Sequence, residues 1–373
     1  MKRAALLCTL AGLVALALAA SGGASDAVPA SLVFVQTNEP TGNSIVVYDR
    51  ASDGHLTQAG RYATGGNGGV AAPGTESDHL GSQGSLVYDA ADRLLIAVNA
   101  GSDSVSTLSV HGDRLQLESV VSSGGQFPAS IAVDGKLVYV LNAGGTGIVQ
   151  GFRIAGDRLV AIPGSARTLG LANSDPPFFL TSPGQVGFTP DGRHLLVTTK
   201  ASENVIDVFQ VESNGRLSAA PVANPSATPV PFAFTFTPDA RLADGEAGAS
   251  TVSTYVVQSD GALTDPKSQP DGQTALCWIT RVGRYYYVSN TGSNTLSGYT
   301  ISDGQPSLVG ATGVVASTEP GPIDSTSPAG TTFLYVETGS GTVGEFSVNG
   351  DGTLTPLGVV GGLPAGIEGI AST

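Results

Sequence analysis

The chain has 373 residues, of which 51 are glycine, and 17 basic against 31 acidic residues give it a formal net charge of -14. An acidic chain without a basic run does not favour binding to nucleic acid or to an anionic membrane surface. Abundant glycine with few charged residues is typical of short strands joined by tight turns and argues against a mainly helical protein.

Residues 1–20 are predicted to be an export signal that is cleaved off. Lys2 and Arg3 supply positive charge, residues 6–18 form an apolar stretch, and Ala17-Leu18-Ala19 offers small residues for cleavage. The apolar stretch is shorter than the roughly 20 residues that span a bilayer. We therefore expect a soluble secreted protein, extracellular or periplasmic, without membrane insertion.

Residues 21–30 are interpreted as a flexible N-terminal segment, and residues 31–373 as the folded domain. Loss of Lys2 and Arg3 lowers the net charge of -14 by two, to -16. Cys8 would leave with the signal, so Cys277 would be the only cysteine left and no intrachain disulfide could form.

A short apolar run that ends in a turn rich in Asn, Gly and Ser recurs about every 50 residues along the chain. The segment 183–217 shows the repeating unit most clearly. It predicts strands at 183–189, 194–199 and 205–211, with a fourth strand beginning near Leu217. Asp191-Gly192 between two apolar runs is a strong hairpin signal.

The ends of the second strands predict seven such units. We call these positions the first ring: Asn38, Asn99, Asn142, Lys200, Glu246, Asn290 and Thr338. No stretch of comparable length shows helical periodicity. The sequence therefore predicts an all-β protein, a seven-bladed β-propeller with four-stranded antiparallel blades.

The two ends of the chain are predicted to complete one blade together. Residues 32–38 resemble a second strand, whereas residues 364–370 resemble a first strand with nothing after it. Pairing these segments would close the ring without a free sheet edge. Removing about ten C-terminal residues should then be strongly destabilising.

Several segments resemble the lactonase-type seven-bladed propellers, which include 6-phosphogluconolactonases and carboxymuconate cyclases. They are Leu80-Gly81-Ser82-Gln83-Gly84-Ser85-Leu86, Ala97-Val98-Asn99-Ala100-Gly101-Ser102, Ala275-Leu276-Cys277-Trp278-Ile279 and Tyr287-Val288-Ser289-Asn290-Thr291-Gly292-Ser293. The last is similar to the Tyr-Val-Thr-Asn signature of a related propeller group. The resemblance covers residues 31–373, is closest to secreted bacterial members, and implies a lactonase or cyclase activity on one face of the ring.

In a propeller, the first strand of each blade starts on the face where the second strand ends. A second ring, two residues after each strand-opening Pro or its equivalent, should therefore lie near the first ring. It contains Ser85, Ser130, Gln185, Ala233, Asp324 and Gly366, with the sixth blade left ambiguous. The resemblance implies His or Arg at such positions, and Pro128-Ala129-Ser130, Pro183-Gly184-Gln185 and Pro231-Phe232-Ala233 lack them.

Lys200 and Glu246 are the first catalytic candidates, because they bring opposite charges to adjacent blades. Lys200 could hold a carboxylate or stabilise an oxyanion while Glu246 acts as general base. A solvated surface pair is the alternative. His79 is the third candidate, since only histidine titrates near neutrality without perturbation, and a plain loop histidine is its alternative.

Five further residues are candidate ligand contacts, with tight-turn geometry as the alternative for the asparagines: Asn99, Asn142, Gln185, Asn290 and Asp324. Cys277 is interpreted as a buried hydrophobe. Residues 65–69 lack the features of a phosphate loop, and residues 349–352 form a turn without the glutamate of a calcium loop. No cofactor and no metal are expected.

Two functions stay open at this point. One is hydrolysis or cyclisation of a small lactone or carboxylate at the channel mouth. The other is a non-catalytic extracellular module that binds a protein or glycan through loops such as 63–83. A monomer is expected in either case.

Overall fold

The computed structural model describes Met1, residues 31–72 and residues 77–373. The predicted export signal beyond Met1 and the segment 21–30 lie outside these residues. In the part of the chain that is described, no helix is long and apolar enough to cross a membrane.

The described residues form seven antiparallel sheets, which confirms the seven-bladed propeller. Blade one receives its second, third and fourth strands from the N-terminal region: β1 (Leu32–Gln36), β2 (Ser44–Arg50) and β3 (Leu56–Ala63). Blade two contains β4 (Leu86–Asp89), β5 (Leu94–Asn99), β6 (Ser104–His111) and β7 (Arg114–Ser122), with a short 3-10 helix at Ala100–Ser102. Blade three contains β8 (Pro128–Asp134), β9 (Leu137–Asn142), β10 (Ile148–Ala155), β11 (Arg158–Ala161) and β12 (Arg167–Thr168).

The remaining blades follow in chain order. Blade four contains β13 (Val186–Phe188), β14 (His194–Thr198), β15 (Val205–Gln210) and β16 (Val222–Pro225). Blade five contains β17 (Pro231–Phe236), β18 (Leu242–Glu246), β19 (Thr251–Val257) and β20 (Leu263–Pro270). Blade six contains β21 (Leu276–Val282), β22 (Tyr285–Asn290), β23 (Thr295–Ser302), β24 (Gln305–Leu308) and β25 (Val314–Ser317). Blade seven contains β26 (Pro322–Thr326), β27 (Phe333–Thr338), β28 (Thr342–Val348) and β29 (Leu354–Val360), and β30 (Ile370–Ser372) returns to blade one.

Blades three and six depart from the four-strand pattern only in their outermost strand. In blade three, β11 and β12 pair with successive parts of β10, and in blade six, β24 and β25 do the same along β23. Each pair therefore occupies the place of one interrupted outer strand.

The ring closes through the C-terminal strand, as expected. Val33, Phe34 and Val35 of β1 pair antiparallel with Ser372, Ala371 and Ile370 of β30. The strand lies further along the chain than the predicted stretch 364–370: it comprises Ile370–Ser372 and shares only Ile370 with that stretch. Residues 364–369 instead form the turn that brings Glu368 to the centre of the ring.

The hydrophobic core lies between neighbouring blades. Leu32 and Phe34 pack toward blade two, whereas Val33 and Val35, which point to the opposite face of β1, pack toward blade seven. This alternation is the two-residue period of a strand that is covered on both faces. Burying each such side chain stabilises the fold by about 1.5–3 kcal/mol.

The predicted first ring is shifted by one residue in two blades. Asn99, Asn142, Glu246, Asn290 and Thr338 end their second strands, whereas Asn38 and Lys200 follow theirs with left-handed backbone angles, each with φ of 48°. In blade four Thr199, not Lys200, occupies the ring position: its backbone N–H donates to the carbonyl of Val205 at the start of the third strand. Lys200 consequently leaves the sheet and turns toward the centre.

Candidate functional site

Residues 77–85, here called the channel segment, cross the centre of the ring. Ser82 donates to the carbonyl of Ala129 in blade three at 2.8 Å, and Trp278 of blade six donates its indole N–H to the carbonyl of Ser82 at 2.8 Å. The side-chain amide of Gln83 donates to the carbonyl of Ile279 and accepts from its backbone N–H. The segment therefore fills the channel and holds opposite blades together.

Close packing around the channel segment depends on two glycines. A Cβ on Gly339 would lie 2.2 Å from the Cα of Ser77, and a Cβ on Gly366 would lie 1.9 Å from the His79 ring. Gly366 also has a left-handed φ of 74°. These positions let the segment approach blades seven and one.

A cavity of about 570 Å³ lies beside the channel segment, between blades four, five and six. Its wall contains residues from the channel segment, from the loop before blade four, and from the strand ends of the three blades. They are Ser77, Asp78, Phe179, Leu180, Lys200, Val230, Phe232, Ala247, Gly248, Ala275, Cys277, Trp278, Thr291 and Gly292.

Irregular strand pairing shapes this wall. The register of the inner strand shifts between Pro231 and Ala233 in blade five, and between Leu276 and Trp278 in blade six. Phe232 and Cys277 are the extra residues at these bulges, and both line the cavity. A bulge re-aims a side chain that regular pairing would direct elsewhere.

Lys200 is fully buried in the cavity wall. Its ammonium donates to the carbonyl of Gly81 at 2.7 Å and lies 4.7 Å and 5.0 Å from the ring centres of Phe179 and Phe232. Burial lowers the pKa of Lys200 to about 8, and the nearby charge of Asp78 opposes this shift. Lys200 thus keeps its proton at neutral pH but loses it far more readily than a surface lysine.

Asp78 is the acidic residue of the cavity wall, and its carboxyl group interacts electrostatically with that of Glu368. Burial raises the pKa of both, and the charge of Asp78 raises the pKa of Glu368 further. The Glu368 oxygens accept from the amides of Leu80 and Ser82, and Asp78 Oδ1 accepts from Gly81 at 2.6 Å. We infer that Glu368 carries the proton and Asp78 the charge, because the Lys200 ammonium favours a charged Asp78.

The structure does not bring Lys200 and Glu246 together. The Glu246 carboxylate lies inside blade five, where it accepts from Thr228 at 2.8 Å and Ser253 at 2.7 Å and from the hydroxyl of Tyr255. Glu246 is the last residue of its strand, whereas Lys200 lies two residues after the end of β14, so the two side chains point in different directions. Asp78 is the acid beside Lys200.

The candidate asparagines make hydrogen bonds at the strand ends and do not line the cavity, and Asn99 also accepts from Asn43 and Thr64 next to blade one. Asn99 donates to Ser104 and Ser106, and Asn290 makes the matching bonds to Thr295 and Ser297. The same arrangement in two blades indicates that it fixes the turn between second and third strands. Asn142 likewise donates to the carbonyls of Ser123 and Ile148.

Gln185 and Asp324 also lie outside the cavity wall. Gln185 accepts from the amide of Phe234 at 2.6 Å, which joins blades four and five. Asp324 accepts from Gly84 of the channel segment at 3.3 Å, and burial raises its pKa to about 7. His79 is half-buried beside Gly366, its Nδ1 makes no hydrogen bond to the described residues, and burial lowers its pKa.

Cys277 is buried, as expected, but it also lines the cavity. Burial raises the pKa of its thiol above the ordinary range, which disfavours the nucleophilic thiolate. Within residues 31–72 and 77–373, no group of three His, Cys, Asp or Glu side chains is arranged to hold a metal ion.

Sequence reasoning left the second ring open in blade six and missed the acids of the site. Leu276 pairs with Asn290 as Pro128 pairs with Asn142, so the position two residues on is Trp278. That pairing could have been found by aligning the strand ends. Asp78 and Glu368 carry no such signal, because both lie in irregular segments that meet only in the folded ring.

Comparisons with known proteins support the fold. No family profile and no curated protein matches the chain. A solved Lactobacillus plantarum protein is similar with a TM-score of 0.70 at 19% identity, over 93% of this chain and 100% of that one. A candidate 6-phosphogluconolactonase from Bacteroides uniformis is similar with a TM-score of 0.69 at 16% identity, over 93% and 100%.

A periplasmic gluconolactonase from Pseudomonas aeruginosa is similar with a TM-score of 0.68 at 18% identity, over 92% of this chain and 98% of that one. At such identities the likeness shows a shared fold. The expectation that the chain folds like the lactonase-type propellers is thereby confirmed.

Proposed function

We propose that this protein is a lactonase-like hydrolase that opens a small lactone in the cavity beside the channel segment. The observation that carries the proposal is that Lys200 and Asp78, an ammonium and a carboxylate, line one cavity between three blades. Structural likeness to proteins named as lactonases supports the reaction class.

Each of the two residues has a defined part in the reaction. Asp78 takes a proton from water as the water oxygen attacks the lactone carbonyl carbon. The Lys200 ammonium donates to the carbonyl oxygen as negative charge develops there. The ring C–O bond then breaks, its oxygen takes the proton from Asp78, and the product is a hydroxy acid.

Glu368 is a positioning residue in this proposal. Its carboxyl group interacts electrostatically with Asp78 and accepts hydrogen bonds from the amides of Leu80 and Ser82. It therefore holds the backbone of the channel segment that carries Asp78, and it does not itself line the cavity. We also propose that the protein is exported to the periplasm or the medium, on the basis of the predicted export signal in residues 1–20.

The test is hydrolysis of a panel of sugar, muconate and alkyl lactones by the purified protein, followed as acid release. Lys200→Met and Asp78→Asn should each lower kcat/KM by about 100-fold, the range typical for loss of an oxyanion donor or a general base. Lys267→Met, on the exposed outer strand of blade five, is the matched control. Equal activity in all variants, or no turnover of any lactone, would overturn the proposal.

A non-catalytic binding module is the second candidate, and one observation favours it. Ala72 forms a parallel bridge with Phe178, and near it Val70, Phe178 and Leu180 are 38%, 43% and 42% exposed. Exposed apolar residues gathered on two loops favour a protein over a glycan as ligand. Absence of lactone turnover together with ligand capture that is lost in Phe178→Ser would favour this function.

A further inference from the structure

We propose, on the basis of the proposed lactonase function, that the substrate is a lactone with an alkyl or aryl substituent rather than a phosphorylated or polyhydroxylated sugar lactone. Eight of the fourteen lining residues are apolar, and two of the remaining six are glycines. The wall thus offers contact area for carbon groups and few partners for polar ones.

The aromatic part of the wall is a continuous surface. Phe232 packs edge-on against Trp278 with ring centres 4.8 Å apart, and Phe179 lies 6.5 Å from Phe232. Val230 and Ala247 extend this surface on the side of blade five. A flat ring or an alkyl chain would exclude water along it.

The charges of the cavity disfavour a phosphate group. Lys200 is the only cation among the described lining residues, and its ammonium already bonds to Gly81 and lies over two aromatic rings. Asp78 faces the same cavity with the opposite sign. A bound phosphate dianion would therefore be poorly compensated, and burying an uncompensated charge is costly.

The hydroxyl groups of a sugar lactone would also lack partners. The described wall provides only the hydroxyls of Ser77 and Thr291 besides its two charged groups, and Thr291 already donates to the carbonyl of Pro322 at 2.8 Å. A buried hydroxyl without a partner costs about 1–3 kcal/mol. Several such groups would remove the gain from binding.

The rim extends the apolar surface toward solvent. Leu180 lines the cavity and is 42% exposed, and the neighbouring Phe178 is 43% exposed. A substituent on the lactone ring can therefore leave the cavity along these side chains. The ring itself would occupy the inner end, where its carbonyl oxygen meets Lys200.

The experiment compares kcat/KM across γ-lactones of increasing alkyl chain length, an aryl lactone, glucono-δ-lactone and 6-phosphogluconolactone. We expect kcat/KM to rise about threefold to fourfold for each CH₂ that becomes buried. The two sugar lactones should be the poorest substrates. A preference for either sugar lactone would overturn the substrate class while leaving lactone hydrolysis intact.

Substitutions at the rim locate the effect. Leu180→Ala should lower kcat/KM more for the longer chains than for the shortest lactone, whereas Leu117→Ala, equally exposed at 42% on the outer strand of blade two, should change neither. If no lactone is hydrolysed, the substrate class is tested by the binding of the corresponding lactams, measured through Trp278 fluorescence. Tighter binding of alkyl than of polyhydroxy lactams supports the class, and the reverse order or no binding overturns it.

Discussion

The Lys200 ammonium donates a 2.7 Å hydrogen bond to the carbonyl oxygen of Gly81, which is 119 positions away in the chain. This bond ties blade four to the channel segment at the edge of the cavity. None of the ion pairs among the described residues includes Lys200. The ammonium is therefore held by one carbonyl and two aromatic faces. Burying it without an ion pair lowers the free energy of unfolding.

Lys200→Met is expected to leave the fold intact. Methionine has a similar shape and removes a buried charge, which offsets the lost hydrogen bond to Gly81. The free energy of unfolding in urea at pH 7 should stay within about 1 kcal/mol of the wild type. Lys200→Ala should lower it by about 2–4 kcal/mol, because a cavity replaces the aliphatic chain. A large loss in Lys200→Met would show that the ammonium is needed for folding.

The activity should fall as the pH rises above about 8. Lys200 has a pKa of about 8 in the folded protein, and only its ammonium form can donate to the developing oxyanion. The measurement is kcat/KM between pH 6 and 10. Lys200→Arg, whose cation does not titrate in this range, should remove the alkaline limb, and Lys267→Arg should keep it. A limb that persists in Lys200→Arg would assign the titration to another group.

Acidification should stabilise the centre of the ring through Asp324. Its pKa is raised to about 7 in the folded protein from an ordinary 3.8, so the folded state binds the proton more tightly. The stabilisation is fully present below about pH 4 and is lost as the pH rises through 7. Asp324→Asn should therefore flatten the pH dependence of Tm between pH 4 and 7. Asp113→Asn, in an exposed turn, is the control, and an unchanged slope in Asp324→Asn would contradict the assignment.

Removal of residues 364–373 should destabilise the protein by several kcal/mol or prevent folding. The truncation deletes the strand that pairs with Val33, Phe34 and Val35, and it removes the Glu368 carboxyl that anchors the channel segment. Thermal unfolding and solubility are the measurements. A ten-residue Gly-Ser extension at the same end is the control. A truncated protein with the Tm of the wild type would show that the closure is dispensable.

The repeat and its closure could be predicted from sequence because they depend on local patterns. Asp191-Gly192 marks a hairpin, and the strand ends at Asn99, Asn142 and Asn290 fall where the structure has them. Each of these signals involves residues that are neighbours in the chain or that alternate along one strand.

The site was harder to predict because its parts meet only in three dimensions. One residue of register separates Lys200, which enters the cavity, from Glu246, which stays inside its blade. Asp78 and Glu368 are 290 positions apart in the chain, and Glu368 meets the channel segment only when the ring has closed. No periodicity along the sequence reports such a contact.

The location of the site can be tested through Trp278, the only tryptophan of the chain, which is buried in the cavity wall. The measurement is its fluorescence during titration with a non-hydrolysable alkyl lactam. We predict a saturable change that is much weakened in Lys200→Met and unaltered in Lys267→Met. A wild-type protein that hydrolyses the matching lactone while its Trp278 emission stays constant at saturating lactam would contradict the account.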